Sequence, residues 1–248
     1  MTDLRSRRTR LVAVDTEHAS PFAQSLLFRW VSIYMYEGDA PLAERRAAAL
    51  ALDRDLLREL LGEEELRDLL DPAALDELEL ELQGLTEGRR ARNADDVHDL
   101  LVSVGDMTEA EIGARTEHDP AAWIEQVLAE GRAVRVRVAG EPRLAAVEDA
   151  AGLRDALGVS LPMGLPAVFT GPTERPLDVL VARYARTHAP FLASQAAARL
   201  GAGADRVRAA LDALEASGRI TYGEFRPGGV EREWCDVDVL RRLRRRSL

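Results

Sequence analysis

The chain contains no lysine: all 33 basic residues are arginine. A P-loop sets a lysine on the nucleotide phosphates and Schiff-base catalysis needs a lysine amine, so both chemistries are excluded. A single cysteine, Cys235, excludes an internal disulfide framework and any multi-cysteine zinc site. Aromatic residues make up only 5% of the chain, which leaves little for aromatic-rich packing. The histidines His18, His98, His118 and His188 lack the i, i+4 pairing with which a helix holds a metal. No apolar run approaches the ~20 residues that a membrane-spanning helix needs. The segment Met1–Arg8 lacks the apolar core of a signal peptide. These absences point to a cytoplasmic protein with no membrane partner. Asp95, Asp96, Asp236 and Asp238 read as helix caps rather than acid–base pairs, and no nucleophile elbow or triad-like cluster is present.

What is present is helical. Hydrophobic residues account for 46% of the chain, enough for packed cores, and alanine, leucine and arginine dominate. The 248 residues leave room for two or three small domains. The net charge of −10 is concentrated: residues 37–87 hold 16 acidic and 5 basic residues, and the remainder is nearly balanced. Local patches therefore matter more than the total.

One supersecondary unit occurs twice. An amphipathic helix stops at Gly131-Arg132, and the alternating run Ala133–Val138 follows; a second stops at Gly218-Arg219, 87 residues later, and Ile220–Phe225 follows. Upstream of each lie two further helices. The first copy has a helix near 94–104, a capping box at Thr108–Glu111 and a third helix capped by Asp119-Pro120. Its ribbon turns at Gly140-Glu-Pro142 and returns over 143–147, and a helix over 148–157 closes it. The second copy has helices at 177–187, 192–200 and 205–217, a turn at Pro227-Gly-Gly229 and a final helix from near Asp236. Three helices and a β-ribbon are the order of a winged helix. The expected fold is mainly α with small β-ribbons: a tail of a preceding domain at 1–18 with a strand at 10–15, an acidic helical subdomain at 19–88, winged helix 1 at 89–158, a Pro/Gly linker at 159–176, and winged helix 2 at 177–248. Within the acidic segment, helices are expected from Ser20-Pro-Phe22, over 42–61 and from Asp71-Pro72.

In a helix-turn-helix the third helix enters the major groove. That of the first copy carries Glu125, Gln126 and Glu130, whose carboxylates repel phosphates, so this copy reads as structural, with Arg135, Arg137 and Arg143 on its ribbon as the exceptions. The second copy offers Arg206 and Arg208 on its third helix and Arg219, Arg226 and Arg232 on its ribbon. The run Arg241, Arg242, Arg244, Arg245 and Arg246 is the densest basic patch and suits a phosphate backbone. Against this stand a solvated helix face with Asp212 and Glu215, and the ordinary preference of arginine for helix C-termini. Trp30, Trp123 and Trp234 read as core residues.

Two stretches carry a resemblance: Ser20-Pro-Phe22 through Met35-Tyr-Glu-Gly-Asp-Ala-Pro41 to Asp53, and Phe225-Arg-Pro-Gly-Gly229 through Arg232-Glu-Trp-Cys-Asp236 to Leu248. Both resemble the large helicase-related proteins (Lhr family), superfamily 2 DEAD/DEAH-box helicases of bacteria. The resemblance implies a junction between the end of an ATP-dependent helicase core and the first of its C-terminal tandem winged helices. The chain then reads as a fragment, a split gene or a truncated chain, with ATP and magnesium belonging to the full-length family and no cofactor to this chain. No Walker A, DEAD or DEAH box or helicase arginine motif is present. The implied role is an accessory nucleic-acid-binding and assembly module in DNA repair. Its partners would be DNA, single-stranded or duplex, or RNA, and the helicase core in cis or as a separate chain. The alternative is a protein-interaction or homo-oligomerisation scaffold; a glycosylase-like enzyme is a third reading, and no catalytic residue carries over to it.

Overall fold

The structure is a computed structural model that describes residues 70–247. The strand at 10–15 and the helices between Ser20 and 61, with His18 and Trp30, lie outside the described residues.

Helix α1 (Pro72–Leu82) begins where a cap and a proline stand together. Asp71 accepts from the Ala73 amide at 3.0 Å, and Pro72, with no N–H to satisfy, occupies the first turn. Leu75 and Leu78 are buried, whereas Leu80 is exposed.

The first repeat comprises α2 (Ala94–Ser103), α3 (Glu109–Gly113), α4 (Ala121–Ala129), the hairpin β1 (Ala133–Val138) and β2 (Glu141–Ala146), and α5 (Ala150–Leu157). Thr108 and Glu111 form the expected capping box. The second repeat comprises α6 (Pro176–Thr187), α7 (Ala193–Leu200), α8 (Ala204–Ala216), β3 (Ile220–Gly223), β4 (Glu233–Asp236) and α9 (Val237–Arg246). Asp236 caps α9 by accepting from the amides of Asp238 and Val239.

The repeats agree in detail. Gly131 and Gly218 both adopt the left-handed conformation (φ 70° and 71°) that ends a helix cheaply only in glycine. In each, the next arginine's amide donates back to the helix, Arg132 to Val127 and Arg219 to Leu214. In each, the residue two before the second helix bridges to the return strand: Met107 with Leu144, and Phe191 with Trp234. Both are therefore winged helices with a third, one-residue strand.

The first ribbon's turn is tighter than expected. It consists of Ala139-Gly140, both with positive φ (52° and 83°), and β2 starts at Glu141, paired with Val138. Two left-handed residues match the twist of the flanking strands. The sequence signal is weak because alanine stands where asparagine or aspartate usually does.

The two faces of β1 serve different cores. Ala133, with Leu144 and Ala146 of β2, packs into the core of the first repeat beneath α2 and α4. Val134, Val136 and Val138 face the other way and join Leu153 of α5, Leu180 and Val181 of α6, and Val207 and Leu211 of α8 in one continuous core. The first wing is thus an internal plate between repeats, not a projecting arm. A third core packs Leu75 and Leu78 of α1 against Phe225, Cys235, Val239 and Leu243.

Candidate nucleic-acid interface

The arginines of the first repeat are consumed locally. Arg135 reaches Glu109 of α3 and Glu125 of α4, the latter at 2.9 Å. Arg132 binds Asp95 at 2.6 Å and Glu130 at 3.3 Å. Arg137 donates to the Gly140 carbonyl at 2.6 Å. Arg143 is only 4% exposed and cannot meet a phosphate. Its guanidinium donates to Asp106 at 2.9 Å, Glu141 at 2.9 Å and the Arg199 carbonyl of the second repeat at 3.0 Å. Burial pulls its pKa down, but the bonds to Glu141 and Asp106 hold it above the ordinary value. Trp123 is half-buried against this repeat's core, and Trp234 is a core residue of the second.

Of the arginines singled out in the second repeat, the structure separates three groups. Arg208, Arg219 and Arg245 are exposed and make no side-chain hydrogen bond or ion pair among the described residues. Arg206 sits on the same helix as Arg208, yet its Nη2 donates to the Ala156 carbonyl at 2.7 Å, tying α8 to α5. Arg226 is held by Glu233 at 2.9 Å and the Pro190 carbonyl at 2.7 Å. Arg232 pairs with Glu224 at 3.0 Å, and its guanidinium lies 4.4 Å from the centre of the Tyr222 ring.

The 241–246 run divides along the helix surface. Arg242 and Arg246 clamp Glu81 of α1, Arg242 at 2.7 Å, and Arg89 adds a third contact to the same carboxylate at 2.7 Å. The Arg246 hydrogen bond is the main cause of a Glu81 pKa below the carboxylate norm. Arg241 pairs with Asp238 one turn back. Arg244 is half-buried, and burial lowers its pKa. Two of the five arginines of the densest basic patch thus form a joint between α1 and α9.

Gln83, just past α1, links the repeats. Its side-chain N–H donates to the Thr187 carbonyl at 2.6 Å, and its carbonyl oxygens accept from Arg115 of the first repeat at 2.6 and 2.7 Å. Beside it, His188 stacks on Tyr184 at 3.7 Å, and burial pushes its pKa down to about 4. Leucine periodicity carried no signal for Glu81 or Gln83, because polar residues on an acidic helix look solvated until a partner is known.

An open groove of about 490 Å³ lies between the N-termini of α7 and α8 and the second ribbon. Ser194, Asp205, Arg208, Tyr222, Glu231, Arg232 and Trp234 line it. Its counterpart in the first repeat is lined by Thr108, Glu109, Arg135 and Glu141, with the Arg135–Glu109 ion pair across it. Among the described residues, no group of histidine, cysteine or carboxylate side chains could hold a metal ion, and no helix is long and apolar enough to cross a membrane.

A family model described as the winged-helix domain of the large helicase-related protein matches residues 68–172. Over its whole length the chain is 50% identical to a Mycolicibacterium smegmatis protein described as "Lhr helicase/ probable uracil glycosylase". It is 40% identical, again over its whole length, to an Escherichia coli protein described as "Lhr helicase/uracil glycosylase". The chain spans 16% of the length of each of these curated relatives.

Proposed function

This chain belongs to the Lhr family of large helicase-related proteins, matched throughout to one segment of them, and we propose that it serves there as a rigid tandem winged-helix module presenting its second repeat to nucleic acid. The observation that carries this reading is the division of the arginines. One face of the first repeat's ribbon is buried between the repeats, Arg135 and Arg143 are paired with carboxylates, and Arg137 is bonded to the Gly140 carbonyl of its own turn. Arg208 and Arg219 of the second repeat are exposed and face no carboxylate partner among the described residues. Exposed, uncompensated guanidinium groups on a third helix and at the root of a wing are the groups that contact phosphates. The module carries no ATPase motif of its own; nucleotide-driven movement would come from the helicase core, in cis or as a separate chain.

The test is an anisotropy titration of labelled single-stranded and duplex DNA at low and physiological salt. Affinity should fall steeply with salt, because each neutralised phosphate contributes ~0.9 to the log–log slope for duplex and ~0.7 for single strands. Arg208→Glu and Arg219→Glu should each weaken binding and flatten that slope by about one contact. No binding at low salt would sink the reading.

A second reading, a protein-interaction or oligomerisation scaffold, is favoured by the internal use of Arg206, Arg226, Arg242 and Arg246. Light scattering tests it: a single-copy mass argues against self-association. The relatives' descriptions also include uracil glycosylase, and no residue here is assigned to that chemistry.

A further inference from the structure

The groove of the second repeat is built unlike a phosphate site. Its floor is Trp234, 2% exposed, packed against Tyr222 with ring centres 4.5 Å apart. Tyr222 is half-buried, and the guanidinium of Arg232 lies over its ring at 4.4 Å. Arg232 is held in place from both ends: Nε binds Glu224 at 3.0 Å and Nη2 donates to the Tyr222 carbonyl at 3.4 Å. The result is a graded stack of indole, phenol and guanidinium that runs from core to solvent and offers a fixed planar cation backed by an aromatic ring. Such surfaces take the flat face of a nucleobase.

The rim points the same way. Asp205 lines the groove alongside Arg208. Carboxylates repel a phosphate, but they accept hydrogen bonds from the amino group on a base edge. A base in the groove with its phosphate outside at Arg208 suits each of these groups, whereas a phosphate in the groove suits only the arginines. The first repeat supplies the contrast: Arg135 stands where Tyr222 stands, 87 residues earlier, and its ion pair to Glu109 crosses the corresponding groove.

We propose that the groove between α7, α8 and the second ribbon receives one unstacked, amino-bearing base of a single-stranded segment, stacked on the Arg232–Tyr222 surface. The assignment rests on the reading of the second repeat as the nucleic-acid face and adds what that face selects. Bases inside a duplex are already stacked and reach the groove only by flipping out, at a cost of a few kcal/mol, so the groove favours single strands.

The experiment uses the whole chain and a short single-stranded DNA carrying one 2-aminopurine, whose fluorescence is quenched by stacking. Binding should quench it, Tyr222→Ala should abolish the quenching, and Tyr222→Ala and Arg232→Ala should each weaken single-strand affinity about tenfold. Duplex affinity should change less than about twofold, while Arg208→Glu weakens both. Tyr222→Phe keeps the ring and should retain quenching, which separates stacking from misfolding of the hairpin. Quenching that survives Tyr222→Ala, or equal losses on single-stranded and duplex DNA, would overturn the base assignment and leave the nucleic-acid reading intact. Failure to bind either DNA at low salt would overturn both.

Discussion

Gly201, just after α7, shows how much one residue without a side chain decides. Its φ is 61°, and a Cβ there would come within 2.8 Å of the Ala139 Cα in the turn of the first hairpin. Backbone cannot yield as a side chain can, so the second repeat approaches the first only because this position is glycine. Gly201→Ala should cost at least about 1–2 kcal/mol from the left-handed conformation alone, with the contact adding to it; chemical denaturation measures the loss. His188 is the other informative residue. It is half-buried among Gln83, Tyr184 and Thr187, with Arg115 and Arg199 nearby, and burial lowers its pKa from 6.5 to about 4. The unfolded chain therefore takes up a proton at a higher pH than the native one. The stability this group contributes is complete above pH 6.5 and is lost as pH falls through 6.5 toward about 4. His188→Gln should remove that share of the acid sensitivity, read as a flatter dependence of melting temperature on pH over the same interval. Leucine spacing and cap signals made the helices legible, but they carry no trace of these two residues' partners.

At the scale of elements, α1 and α9 depend on each other. Val239, Leu240 and Leu243 form the buried side of α9, which meets Leu75 and Leu78 of α1, and the arginines spread around the rest of its surface. Arg242 and Arg246 then close on Glu81 at the edge of that contact. The pair is partly exposed, so each bond is worth no more than about 1 kcal/mol. Glu81→Gln should loosen α1 by about that amount and raise amide exchange over 72–82. Because the arginines hold the Glu81 pKa below its usual 4.5, its contribution is present above that value and lost as pH falls through the lowered pKa. Below pH 4.5 the variant should therefore lose stability less steeply than the parent. The sequence places α9 and its cap correctly, yet its arginines read as one basic patch. Which of them faces solvent depends on a helix far upstream in the chain, and no local pattern reports that.

At the scale of the two repeats together, the first wing joins them into a single packed body. Val134, Val136 and Val138 are buried against the second repeat, so the repeats share a core rather than sitting as beads on a linker. The Pro/Gly segment between them is itself pinned: Arg154 donates to the Thr170 carbonyl at 2.8 Å, and Asp155 accepts from the Thr173 amide at 2.9 Å. Leu153→Ala, in the shared core, should cost about 2–5 kcal/mol. It should lower the stability of both repeats together, seen as a coincident loss of amide protection on either side of residue 158. Independent melting of the second repeat would contradict the shared core.

By itself the sequence determined the elements, the repeat and the family. Helix caps, glycine stops and alternating strands are local signals, and each acts through the backbone of a few neighbouring residues. Only the tertiary structure decided which charges remain available. An arginine is a phosphate ligand or an internal clasp according to whether a carboxylate or carbonyl from a distant element meets it. That depends on how α1, the first wing and α9 pack, and so Arg208 and Arg219 stand clear while Arg206, Arg242 and Arg246 do not.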